Sequence, residues 1–306
     1  MKRIAAVGWM MGLGWVSWAE AGLGVALSSE RSHFLLYEAA LFDVELTNQG
    51  LRPVELVNRD DGKQGWLSFS ILRPNNVRVR TDIPFEPPDR VLQPGETARL
   101  RVNITPHYAI RETGEYRIQA VVRQPGQLPL MTAPLTFTVG RGERFWTMDR
   151  RMPDDSVRTY SLIRFLQDKS LSPHLYLQIE DAGNNLVFTT ANLGPIVARE
   201  TPKTLFDARG GFHLSWSNAP KTYRYVACDP DGRILRQDQR VEGATFPALR
   251  MTQAGEVEFV GGAVPGAQPE RARLSQVQAG AGGTAEGPTP EPATGAGPMP
   301  GGPRPR

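Results

Sequence analysis

A chain of 306 residues with 40% hydrophobic and 22% charged residues is long enough for two ordinary domains and too apolar for wholesale disorder. Its 35 basic and 32 acidic residues leave a formal charge of +3, and the basic residues are scattered; despite a pI of about 9.1, nucleic acid is not an expected partner. The single cysteine, Cys228, excludes an intramolecular disulfide and with it the small stapled folds.

The chain opens with Met1, Lys2 and Arg3, continues as an apolar run from Ile4 to Trp18, and then reads Ala19-Glu20-Ala21. A basic start, a hydrophobic middle and small residues at the minus-three and minus-one positions predict a secretory signal peptide over residues 1–21, cut after Ala21. An uncleaved anchor is the competing reading. About fifteen apolar residues fall short of the roughly 20 that span a bilayer, and Gly8, Gly12 and Gly14 weaken the helix. No second run of comparable length follows, so the mature chain is expected to lack a transmembrane segment and to be exported, periplasmic or extracellular. Loss of Lys2, Arg3 and Glu20 leaves 33 basic against 31 acidic residues, a charge of +2.

Residues 22–142 consist of short alternating segments between turn signals, the pattern of an antiparallel sandwich. Ala40 to Asn48 reads as a half-buried strand closed by Asn48-Gln49-Gly50, and Pro53 to Val57 as a short one. In Trp66 to Arg73, Leu67, Phe69 and Ile71 form the expected core face, with Trp66, Ser68, Ser70 and Leu72 opposite. Leu92-Gln93-Pro94-Gly95-Glu96 is a turn that launches Thr97 to Thr105, where Leu100, Val102 and Ile104 alternate. Gly114 opens a strand in which Tyr116, Ile118, Ala120 and Val122 face one way, and Leu135, Phe137 and Val139 close the region. The Leu-x-Pro-Gly-Glu turn before one strand, and Gly114-Glu-Tyr-Arg-Ile118 at the start of the next, resemble immunoglobulin-like bacterial modules. That resemblance implies a fold used for many functions.

Residues 143–262 carry an internal echo. Leu175-Tyr-Leu-Gln-Ile-Glu-Asp-Ala-Gly183 is matched by Tyr223-Arg-Tyr-Val-Ala-Cys-Asp-Pro-Asp-Gly232, each a strand, an acidic turn with Gly and a further strand. Each is followed by a second hairpin, Phe206 to Trp216 and Leu249 to Phe259. The period of about 45 residues is similar to that of bacterial propeller-type repeats with four-stranded blades. Two units and an opening strand near Arg158 to Leu166 do not close a ring of about four to eight blades, so a compact eight-stranded sandwich or barrel is expected. Asp207-Ala-Arg-Gly210 has one residue too many for the Asp-box of sialidase-like propellers. From 263 to 306 the chain is rich in Gly, Pro and Ala, and is expected to be a disordered tail.

No motif points to an enzyme. The four histidines lack His-x-x-x-His spacing, Cys-x-x-Cys is missing, and neither Gly-x-Ser-x-Gly nor a phosphate-cradling loop occurs. Asp207 lies six residues before His213, near enough to meet it at a sheet end, yet alternation turns Phe212, Leu214 and Trp216 inward and His213 to the surface. Asp229-Pro-Asp231-Gly232 and Asp60-Asp61-Gly62 offer carboxylates to calcium but read more simply as turns. No cofactor or metal is expected. Tyr176, Trp216, Tyr223 and Tyr225 have the chemistry of a sugar-stacking platform, although aromatics at strand positions are ordinarily core. Cys228 is expected to be buried.

The expected protein is all-β and exported: an immunoglobulin-like sandwich, a hairpin-repeat domain and a tail, acting as a non-catalytic binding or scaffold protein of a bacterial envelope. Its partner would be an envelope protein or a glycan. The alternative is a carbohydrate-binding accessory protein or hydrolase with a site near Asp207 and His213.

Overall fold

The computed structural model describes residues 22–58, 65–152, 155–168, 170–181, 183–184, 186–198 and 200–266. The expected signal peptide over residues 1–21, Asp60-Asp61-Gly62 and the part of the expected tail beyond Gly266 lie outside the described residues. Within them the chain is all-β, and no helix is long and apolar enough to cross a membrane.

The first ten strands are β1 (Leu23–Ser28), β2 (His33–Leu35), β3 (Leu41–Asn48), β4 (Val54–Leu56), β5 (Leu67–Leu72), β6 (Arg90–Leu92), β7 (Thr97–Asn103), β8 (Gly114–Val122), β9 (Leu130–Met131) and β10 (Leu135–Gly140). They form a β1-β3-β7 sheet and a β2-β10-β8-β5 sheet, with β9 beside β8 and a separate β4-β6 ribbon. All pairings are antiparallel except β2 with β10. The alternation expected from sequence is the one that packs: Phe69 and Ile71 of β5, Tyr116 and Ile118 of β8, and Phe42 and Val44 of β3 share one core. Trp66 departs from it. It precedes β5, so strand alternation does not govern its side chain, which is buried with the indole N–H donating to Pro88 O at 3.2 Å.

The next strands are β11 (Glu143–Arg151), β12 (Val157–Phe165), β13 (His174–Asp181), β14 (Leu186–Pro195), β15 (Lys203–Phe206), β16 (Phe212–Ala219), β17 (Thr222–Cys228), β18 (Ile234–Val241), β19 (Ala248–Met251) and β20 (Val257–Val260). They form two four-stranded meanders, β11 to β14 and β15 to β18, and a final hairpin, β19 with β20. The arrangement is propeller-like, which corrects the expected compact sandwich or barrel of eight strands: the strands divide into successive separate sheets. The echo in the sequence has a structural meaning: β13-β14 and β17-β18 end successive sheets, while β15-β16 and β19-β20 begin the following ones. The two meanders meet through one core in which Tyr160, Leu177 and Ile179 face Phe212, Leu214 and Val226. Strand β11, which alternation alone did not reveal, is an edge strand with mostly exposed residues.

The sandwich and the meanders form one compact unit through residue 265. Leu35 joins Ile163, Phe165 and Tyr176 in a small apolar cluster at the junction. Around it, Arg31 pairs with the buried Glu38 and donates to the Tyr176 hydroxyl at 3.3 Å, while Gln167 donates to the same hydroxyl at 2.7 Å. Asp168 accepts from the Ser32 backbone N–H at 2.7 Å and from its hydroxyl at 2.6 Å. Burial opposes ionisation of Asp168, but the Ser32 hydrogen bonds and the nearby His33 outweigh it and hold the carboxyl below the usual range. A depressed folded pKa means that this latch contributes fully above the unfolded value of about 3.9 and is lost as pH falls through the lower folded value. Urea unfolding followed from pH 6 to pH 2 is therefore expected to show a stability decline that is shallower in Asp168→Asn. An equal slope in both proteins would mean that the latch carries none of it.

Candidate functional site

Two open clefts flank the second meander, and Trp216 borders both. The larger, about 640 Å³, falls within the range of roughly 300–1,000 Å³ typical of small-ligand sites. Its floor follows from strand register. Trp216 pairs with Arg224, and Arg224 with Gln239, so these three side chains lie side by side on one face of the sheet. Leu214, Val226 and Gln237 occupy the adjacent row. On the opposing wall β14 contributes Asn192, Leu193 and Gly194, and β13 contributes His174. His174 Nδ1 lies 3.1 Å from Asn192 Oδ1, and the indole N–H of Trp216 donates to Pro195 O at 3.0 Å, which fixes the floor to the wall.

Arg224 is the only Lys or Arg in this lining, and among the described residues it has no carboxylate partner. Its Nη1 donates to Leu193 O at 3.4 Å, which leaves most of the guanidinium fork unused. Gly194 makes the approach feasible. With φ at +98°, it occupies a conformation suited to glycine, and a Cβ there would stand 2.9 Å from Arg224 Nη1. Asp238 at the rim does not neutralise the site, because its carboxylate is turned to Arg240 at 3.3 Å and Arg236 at 3.7 Å.

The six residues singled out from sequence do not form one platform, although Trp216 and Tyr225 both line the larger cleft and Trp216 and Tyr223 the second. Tyr176 is fully buried at the junction with the sandwich, where burial raises its hydroxyl pKa. Trp216 is buried as the cleft floor. Tyr223 is half-buried and lines the second cleft, about 570 Å³, with Lys203, Ser215, Ser217 and Leu249.

Asp207, His213 and Tyr225 do come together, in a way that corrects the expected surface position of His213. The Asp207 side chain caps its own turn, its Oδ1 accepting from the Arg209 and Gly211 N–H groups at 2.8 Å each. Its Oδ2 lies 3.0 Å from His213 Nε2, and His213 Nδ1 lies 2.8 Å from the Tyr225 hydroxyl. Burial opposes ionisation of Asp207, but the bonds to His213, Gly211 and Arg209 prevail and lower its pKa. Burial raises that of Tyr225. His213 does point away from the shared core, as alternation requires, but β19-β20 covers that face: Tyr225 stacks on Phe259 at 5.1 Å and 11°. His213 is 8% exposed and lines neither cleft. The Asp-His-Tyr chain ties a turn to β17 beneath the last hairpin, which is positioning work within the sheet.

Asp229 caps the turn before Gly232, accepting from the Asp231 and Arg233 N–H groups at 3.1 and 2.8 Å. Among the described residues no group of three or more His, Cys, Asp and Glu side chains converges. Cys228 is buried in the shared core, which pushes its thiol up to about 12. Sequence reading missed Arg224, Asn192, Gln237 and Gln239. A signal for Arg224 was present: a charged residue on the side of β17 shared with Val226 and Cys228 is unusual unless it faces an opening.

The fold defines an all-β protein that combines an immunoglobulin-like sandwich with propeller-like meander sheets. No protein-family model and no curated protein matches the chain.

Proposed function

We propose that this chain is an exported, non-catalytic binding protein of a bacterial envelope, which takes up its partner in the cleft between the two meander sheets. The observation that carries this reading is the lining itself: Asn192, Arg224, Gln237 and Gln239 offer amide and guanidinium groups around an aromatic floor in an open, partly apolar hollow. Such a surface suits recognition of a polar ligand through several hydrogen bonds. The sandwich, joined through Ser32, Arg31 and Glu38, supports the first meander and so holds one cleft wall in place.

Two measurements test the reading. Mass spectrometry of the native protein from fractionated cells should find an N-terminus at Gly22 outside the cytoplasm; an intact Met1 in the cytoplasm would overturn the assignment to the envelope. Purified protein should be retained on immobilised envelope polysaccharide, with retention reduced about tenfold in an Asn192→Ala/Gln239→Ala variant, the size expected for two lost hydrogen bonds. Equal retention of the variant and the parent would remove the cleft from the function.

A further inference from the structure

From the lining of the larger cleft we infer that its ligand is a carboxylate-bearing saccharide, anchored through its carboxylate by Arg224; this rests on the reading of the cleft as the binding surface. Four observations support the assignment. Arg224 is half-buried and without an ion pair among the described residues, so none of them neutralises its charge. A single contact of 3.4 Å to Leu193 O leaves the planar fork free for the bidentate geometry that suits a carboxylate.

The third observation is that the backbone makes room for the guanidinium. Gly194, at the β14 irregularity where its N–H donates to Asn192 Oδ1 at 2.9 Å, lacks the Cβ that would stand 2.9 Å from Nη1. Fourth, the groups around the cation are neutral amides, Asn192, Gln237 and Gln239, which both donate and accept. Asn192 Oδ1 is engaged by the Gly194 N–H at 2.9 Å and lies 3.1 Å from His174 Nδ1, which leaves its NH2 group to donate. Hydroxyl groups likewise donate and accept, so this ring is matched to a polyol, whereas a simple inorganic anion would leave the Gln237 and Gln239 acceptors unused. The one acidic side chain at the rim, Asp238, is already held by Arg236 and Arg240. The second cleft carries its cation, Lys203, on a lining that also includes Glu200.

The test uses the full mature chain and two probes of matched size, digalacturonate and its uncharged digalactoside counterpart, titrated by calorimetry at low and moderate salt. The parent should bind digalacturonate about 10- to 100-fold more tightly than the digalactoside, the range for charge-assisted hydrogen bonds, and added salt should shrink the difference. Arg224→Gln should abolish the preference, Arg224→Lys should keep part of it, and Gly194→Ala should weaken uronate binding by displacing the guanidinium. Salt dependence in the unmodified protein keeps the test decisive if a variant misfolds. Equal binding of both sugars would overturn the carboxylate assignment while leaving the cleft as a binding surface. Unchanged uronate affinity in a folded Arg224→Gln variant would also overturn it. Binding of neither probe, together with retention of the protein on polysaccharide regardless of the cleft substitutions, would overturn both readings.

Discussion

Replacing Phe212 with alanine is expected to cost about 3–5 kcal/mol, the range for removing a buried aromatic side chain. Phe212 is 1% exposed and sits where the two meanders meet. Its ring lies 5.0 Å from Phe206, 5.1 Å from Tyr160 and 5.9 Å from Trp146. Tyr160 and Trp146 belong to the first meander and Phe206 to the second, so the cavity opens on the seam and neither sheet can close it alone. Aromatic pairs add about 0.5–1.5 kcal/mol beyond their buried area, which places the expected loss toward the upper end. Urea unfolding should show a lowered midpoint with little change in slope. Phe246→Ala serves as the contrast, because Phe246 is 64% exposed and should cost within about 0.5 kcal/mol. A loss below about 1.5 kcal/mol for Phe212→Ala would mean that the seam repacks freely, against the usual behaviour of close-packed interiors.

Gly232→Ala is expected to cost about 2–4 kcal/mol, from backbone strain and overpacking together. Gly232 has φ +89°, and an added Cβ would stand 2.2 Å from Thr189 Cγ2 and 3.0 Å from Ile179 Cδ1. The β17-β18 turn is thus pressed against β13 and β14, and its tightness helps to hold the two sheets together. The two contributions can be separated. Gly95 has φ +79° with open space where a Cβ would go, so Gly95→Ala measures the strain of a positive φ alone, about 1–2 kcal/mol. Thr189→Ser deletes the clashing methyl group, so in the Gly232→Ala background it should recover part of the overpacking loss and none of the strain. Additive effects of the two substitutions would show that the turn does not press on Thr189.

Acid sensitivity should have the same sign at a second point. The depressed pKa of Asp207, like that of Asp168, gives stability that is present above the ordinary aspartate value and lost as pH falls through the folded one.

Much of the fold was legible because short strands with one buried face leave a period of two in the sequence. Leu67, Phe69 and Ile71 were placed correctly for that reason, as were Tyr116, Ile118, Ala120 and Val122. Strand β11 was not legible: an edge strand with both faces partly wet does not alternate. The site was harder to read. Asp207 and His213 are close in sequence, and their proximity was foreseeable, but Tyr225 joins them only through the register of β16 with β17. His213 was expected at the surface because alternation distinguishes two faces of a sheet without saying whether the second is covered. Tyr176 and Tyr225 were candidates for an exposed platform for the same reason, and the sandwich and the last hairpin bury them.

By itself, the sequence determined an all-β chain, the positions of most turns, the core face of the sandwich strands and the order of hairpins in the repeat, because each of these is local and recorded in spacing, Gly and Pro. Only the tertiary structure decided which sheet faces are covered, that Arg224 stands beside Gly194 without a carboxylate partner among the described residues, and that a cleft opens between the meanders. Those features depend on contacts between strands far apart in the chain, where no local periodicity reports what a side chain will meet.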